Sequence, residues 1–91
     1  MPKILIAGMG ATGESVAQYL YGQGVNFAML DQRRDLPAAT RLKEKFPEQK
    51  LFLGDFADVN LRRFETIVLS PGISRKHPEV IAAIDAGIEV I

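Results

Sequence analysis

Five short apolar runs recur along the chain: Ile4 to Ala7, Phe27 to Leu30, Leu51 to Leu53, Thr66 to Leu69 and Ile88 to Ile91. They are continuous rather than alternating. A strand that alternates apolar and polar residues has one wet face, whereas a continuous apolar strand is buried on both, as happens when helices cover both faces of a parallel sheet. The intervals between the runs carry helical spacing. Val16 and Leu20 lie on one face of Ser15 to Tyr21, and Ala38, Leu42 and Phe46 form one stripe, the pattern of amphipathic helices. A third helix is expected from Pro78 to about Ala86, with Pro78 in the first turn and Gly87 at the C-terminal cap. Asp58 is expected to cap a short helical turn that carries Leu61.

Strand and helix in turn, joined by short connections, predict an α/β fold: a Rossmann-like, doubly wound, five-stranded parallel sheet with right-handed crossovers and strand order 3-2-1-4-5. In that order the loops after the first and fourth strands lie side by side at the topological switch point, where ligands bind in such sheets. The 91 residues suit one domain, 1–91, able to bury roughly 60% of its unfolded surface. The hydrophobic share of 47% and charged share of 24% are those of an ordinary globular chain.

The chemistry-bearing motifs fall on those two loops. Gly8-Met9-Gly10-Ala11-Thr12-Gly13 follows a predicted strand and opens a predicted helix. In that setting a G-x-G-x-x-G has a role for each glycine: Gly8 for the tight turn, Gly10 for backbone approach to a diphosphate, Gly13 for close helix–strand packing. The unpaired amides and positive end of the helix favour an anion, with the Thr12 hydroxyl as a further donor. The same glycines also suit a turn that binds nothing. Asp31 follows about 20 residues later, at the end of the second strand, where a carboxylate meets a ribose hydroxyl or a base. As a strand-end carboxylate it is expected to be exposed, and replaceable by alanine at little cost to the fold. Gln32, Arg33 and Arg34 come next. Either arginine can be a solvated surface residue or can stack on a base. Ser70-Pro71-Gly72-Ile73 after the fourth strand is by itself a common turn. Its place across the switch point lets the Ser70 hydroxyl and Gly72 amide face the same ligand.

Composition narrows the function further. Eleven basic residues balance eleven acidic ones, so no excess positive field draws in nucleic acid or an anionic membrane. There is no cysteine and a single histidine, His77, which excludes thiol chemistry and leaves no metal-ligand cluster. His77 precedes Pro78 and reads as a helix cap. No apolar run approaches the ~20 residues that span a bilayer, and Met1-Pro2-Lys3 does not open a signal peptide. A cytoplasmic location is expected. No P-loop and no nucleophile, base and orienting partner are present, so no catalytic residue is expected.

Taken together, the glycine loop with Glu14 and Ser15, the Asp31-Gln32-Arg33 strand end, Ser70-Pro71-Gly72-Ile73, His77-Pro78 and Ala86-Gly87-Ile88-Glu89-Val90 resemble the N-terminal domain of the MurD family of Mur ligases, the UDP-N-acetylmuramoyl-L-alanine:D-glutamate ligases. The resemblance covers essentially the whole chain, and the stretch from Ser70 to Ile88 is its most specific part. It implies a three-domain, ATP- and Mg²⁺-dependent cytoplasmic ligase of peptidoglycan synthesis, whose N-terminal domain grips the UDP portion of UDP-N-acetylmuramoyl-L-alanine. The diphosphate would rest on Gly10, Ala11, Thr12 and Gly13. Asp31, Gln32 and Arg33 would surround the uracil, and Ser70, Pro71 and Gly72 would line the sugar-phosphate side. Position 32 is Gln where some members carry a small hydroxyl residue.

The ATP, metal and D-glutamate sites of such a ligase would lie in domains outside these residues. The chain is therefore expected to be the N-terminal piece of a longer protein, needing no cofactor itself and inert alone. An NAD-binding domain of a dehydrogenase or a regulatory sensor is the competing expectation, since the glycine loop with Asp31 also suits NAD. A third is an interaction module that keeps the fold without a ligand.

Overall fold

The second strand buries every residue and the first all but Ile4, because the sheet separates two apolar layers. A computed structural model describes residues 2–91. It contains β1 (Ile4–Ala7), α1 (Ala11–Gly22), β2 (Ala28–Asp31), α2 (Pro37–Lys45), β3 (Lys50–Leu53), two 3₁₀ turns (Phe56–Asp58 and Leu61–Arg63), β4 (Thr66–Leu69), α3 (Pro78–Asp85) and β5 (Glu89–Val90). The strands form one parallel sheet in the expected order, β3-β2-β1-β4-β5. α1 starts four residues before the predicted segment, because the glycine loop itself supplies its first turn.

Side chains alternate across a strand, and here the alternation sorts them into two cores. Leu5 and Ala7 of β1, with Ala28 and Leu30 of β2, pack against Phe56, Leu61 and Phe64 of the 3₁₀ region and Val80 and Ala83 of α3. Ile6 and Met29 point the other way, to Ala17 of α1 and Leu42 and Phe46 of the α2 end. Phe46 makes edge contacts with Phe27 at 5.5 Å and Tyr21 at 5.2 Å between ring centroids. Such pairs contribute about 0.5–1.5 kcal/mol each beyond area burial, which fastens α2 to both α1 and the sheet.

One local expectation is corrected. Asp58 does not cap the turn carrying Leu61; Asn60 does, its side-chain oxygen accepting the Arg62 N–H at 3.1 Å. The Asp58 carboxylate instead faces the Arg34 guanidinium, 3.5 Å away. An N-cap must immediately precede the first helical residue, and the turn begins two residues too late for Asp58. At α3 the expectation holds, with His77 Nδ1 accepting the Glu79 N–H at 3.1 Å. The His77 ring also packs edge-on against Phe56, with ring centroids 4.9 Å apart.

Candidate functional site

The site is assembled where three strand ends meet. Gly8 N–H donates to the Leu30 carbonyl at 2.7 Å and Ser70 N–H donates to the Ala7 carbonyl at 2.9 Å, tying the loop after β1 to β2 and β4. Gly8 has φ +113, and a Cβ there would fall 2.5 Å from Ser70 Cβ. Only glycine satisfies both the left-handed backbone and that approach. Gly13 is buried under the turn, and a Cβ on it would lie inside the radius of the Gly8 carbonyl oxygen. Gly10 differs from both: it is exposed at φ −81, ψ −166, and a Cβ there would meet nothing within 4 Å.

Gly10 is the N-cap of α1, and no side chain caps that end. The first helical bond runs from Glu14 N–H to the Gly10 carbonyl at 2.9 Å, so the Ala11, Thr12 and Gly13 amides precede the ladder and concentrate the positive end of the helix dipole. Across the switch point, Ser70 to Ile73 form a turn closed by Ile73 N–H donating to the Ser70 carbonyl at 3.0 Å. Gly8, Gly10, Asp31, Gln32, Arg33, Ser70, Gly72 and Ile73 line an open concavity of about 210 Å³. Of the predicted site residues, Ala11 and Thr12 lie exposed on the first turn of α1, Gly13 lies beneath it, and Pro71 faces solvent at the turn's corner. A larger hollow of about 460 Å³ lies between the 3₁₀ turns and α3, and none of the predicted site residues lines it.

Asp31 is where the structure departs most from expectation. It is 5% exposed rather than a solvated strand end. Its Oδ1 accepts the Arg33 backbone N–H and Nε, both at 2.9 Å. Its Oδ2 accepts the Met9 N–H and Arg33 Nη2, also at 2.9 Å. The carboxylate therefore links the glycine loop to the end of β2. Its pairing with the Arg33 side chain, aided by the two backbone N–H donors, holds the carboxyl at about 2, below an ordinary 3.8, against the opposing effect of burial. The same pairing raises the Arg33 value. A carboxylate whose folded value is depressed stabilises the fold above its unfolded value and loses that contribution as pH falls. For Asp31 the loss falls between about pH 5 and about pH 2. Asp31→Asn is expected to flatten the acid side of the thermal-midpoint profile over that window and to lower stability near neutrality by about 1–3 kcal/mol, since donors to a buried acceptor lose their partner. Parallel profiles for the two proteins would refute the linkage.

A second ionic group was not foreseen. Glu14, in the first turn of α1, accepts Arg41 Nη1 and Nη2 at 2.7 and 2.8 Å and Lys45 Nζ at 3.1 Å. Arg41 first and then Lys45 lower its carboxyl to about 2. The four-residue spacing of Arg41 and Lys45 on α2 was the available signal, since it sets both on one helix face. The group braces α2 against the turn that follows the glycine loop.

A doubly wound parallel sheet with a glycine turn leading into a helix N-terminus at its switch point defines a Rossmann-type domain. More narrowly, a family model described as the Mur ligase MurD-like N-terminal domain matches residues 2–91, and the chain belongs to that family. It is 47% identical over 87 residues to a UDP-N-acetylmuramoylalanine–D-glutamate ligase of Shewanella oneidensis, covering 96% of this chain and 20% of that protein. The protein of the same name from Saccharophagus degradans is 43% identical over 93 residues, covering 97% and 20%. That from Thiobacillus denitrificans is 37% identical over 89 residues, covering 98% and 19%. The chain thus spans about a fifth of the length of these relatives. Among the described residues no helix is long and apolar enough to cross a membrane.

Proposed function

We propose that this domain binds the UDP moiety of UDP-N-acetylmuramoyl-L-alanine, as the substrate-gripping N-terminal part of a cytoplasmic, ATP-dependent ligase that adds D-glutamate during peptidoglycan synthesis. The observation that carries the reading is the uncapped start of α1 at Gly10, facing the Ser70–Gly72 turn and the Arg33 guanidinium across one concavity. Backbone amides at a helix N-terminus are suited to phosphate oxygens. Gly10, Ala11, Thr12 and Gly13 would hold the diphosphate, with the Thr12 hydroxyl as an added donor. Gln32 and Arg33 would flank the uracil, Asp31 fixing the latter, while Ser70, Pro71 and Gly72 would bound the sugar-phosphate side.

The concavity of about 210 Å³ is smaller than the roughly 300–1,000 Å³ of a whole small-molecule site. That supports a domain holding one end of an extended ligand. The relatives' shared name supports the identity of its remainder. On this reading residues 1–91 act as one binding unit, and ATP, Mg²⁺ and D-glutamate are handled by other domains. Among the described residues no cluster of three or more His, Cys, Asp or Glu is placed to hold a metal. Binding, orientation and charge compensation at the diphosphate are what these residues can contribute; the chain alone is expected to show no ligase activity.

The test is a parallel NMR and thermal-shift titration with UDP-N-acetylmuramoyl-L-alanine, UDP and NAD, following the amides of residues 10–13 and 31–33. Both uridine ligands are expected to shift those amides and raise the thermal midpoint, as any ligand selective for the native state must. A response to NAD alone would replace the reading with a dinucleotide domain.

A further inference from the structure

The chain carries both features that mark a dinucleotide site, a G-x-G-x-x-G turn and an acidic residue at the end of the second strand. In such sites the acidic residue accepts hydrogen bonds from a ribose diol, so its carboxylate must have acceptor positions to offer. An ionised carboxylate has about four. On Asp31 all are taken: one on each oxygen by the backbone amides of Arg33 and Met9, and one on each by Nε and Nη2 of the Arg33 guanidinium. The backbone donors are fixed by the fold. The guanidinium is not, for the Arg33 side chain is 62% exposed and has no other partner among the described residues.

We propose that Arg33 sets which nucleotide this site accepts: its guanidinium fills the seat on Asp31 that a ribose diol would take, and so closes the site to NAD. Removing the side chain frees one acceptor position on each oxygen, the number a diol needs. The planar fork is essential, because a lysine ammonium is a single charge that does not span both oxygens in the same way. The exclusion of NAD stands on the Asp31 geometry alone; the identity of the accepted ligand rests on the UDP reading above.

The experiment titrates the 91-residue chain and its Arg33→Ala and Arg33→Lys variants with NAD and with UDP, reading the Met9 amide and the thermal midpoint. Wild type is expected to ignore NAD. Arg33→Ala is expected to bind NAD at least about tenfold more tightly than wild type, with weakened UDP binding, and Arg33→Lys to fall between. An Arg33→Ala protein that stays folded and as indifferent to NAD as wild type would overturn the proposal, as would a wild type that binds NAD equally well. If Arg33→Ala does not fold, Arg33→Lys decides, and it too must gain NAD affinity. A wild type silent to UDP beside a variant newly responsive to NAD would remove the UDP reading and leave the role of Arg33 standing.

Discussion

Gly13→Ala is expected to lower the thermal midpoint by roughly 12–32 °C, the product of a destabilisation of about 3–4 kcal/mol and about 4–8 °C per kcal/mol for a domain of this size. The residue is buried between α1 and the turn, and the added methyl would meet the Gly8 carbonyl oxygen rather than a movable side chain. Ordinary overpacking costs about 1–3 kcal/mol when side chains can shift. Here the obstruction is backbone, and that backbone is held by the Gly8 N–H bond to Leu30 and by the abutting Ser70. Relief requires α1 to lift from β1, which would uncover Ala17 and Ile6 in the layer beneath. Thermal unfolding followed by circular dichroism measures the effect. A midpoint within a few degrees of wild type would show that the helix and turn are not packed as described.

Gly10→Val should give the opposite pattern, with the fold retained and the ligand lost. Position 10 has ordinary extended backbone, and its Cβ direction is empty. Valine therefore strains nothing, and as a poorer N-cap than glycine it should cost about 1 kcal/mol, a fall of about 4–8 °C that leaves the protein folded. Its branched side chain would occupy the space in front of the helix amides, where a diphosphate must come within hydrogen-bond distance. Affinity for UDP is expected to fall by about a hundredfold or more, equivalent to about 2.7 kcal/mol. Titration of the variant beside wild type measures this. Undiminished binding by a folded Gly10→Val protein would move the diphosphate off this loop.

The two glycines show what is legible in a sequence of this kind. Spacing identified the loop, and the continuous apolar runs identified a parallel sheet and its order, because burial on both faces leaves a compositional trace. The separate duties of Gly10 and Gly13 follow from the same spacing. Asp31 could not be read in this way. Its burial depends on the Met9 amide swinging over it and on Arg33 folding back, contacts with no periodicity and no local signature. The same holds for Asn60 in place of Asp58 as a cap, where a shift of the turn's start changed the residue in position. The Glu14 group joins residues far apart in sequence, and half of it, the Arg41–Lys45 spacing, was visible without its target. The assignments of individual residues to parts of the ligand come from resemblance to the Mur ligase family rather than from patterning.

The contact between Gly8 and Ser70 also bears on how the molecule comes into being. β1, α1, β2, α2 and β3 share one apolar layer among residues up to 53, while the opposite face of β1 and β2 takes its cover from Phe56, Leu61, Phe64, Val80 and Ala83. β1 then keeps one edge open until β4 arrives, and the wall formed by Ser70 and Gly72 arrives with it. A chain folded only in its first half would carry a complete glycine turn and still lack the far side of its binding hollow. The hollow is in this sense a property of the closed five-stranded sheet and of neither half alone.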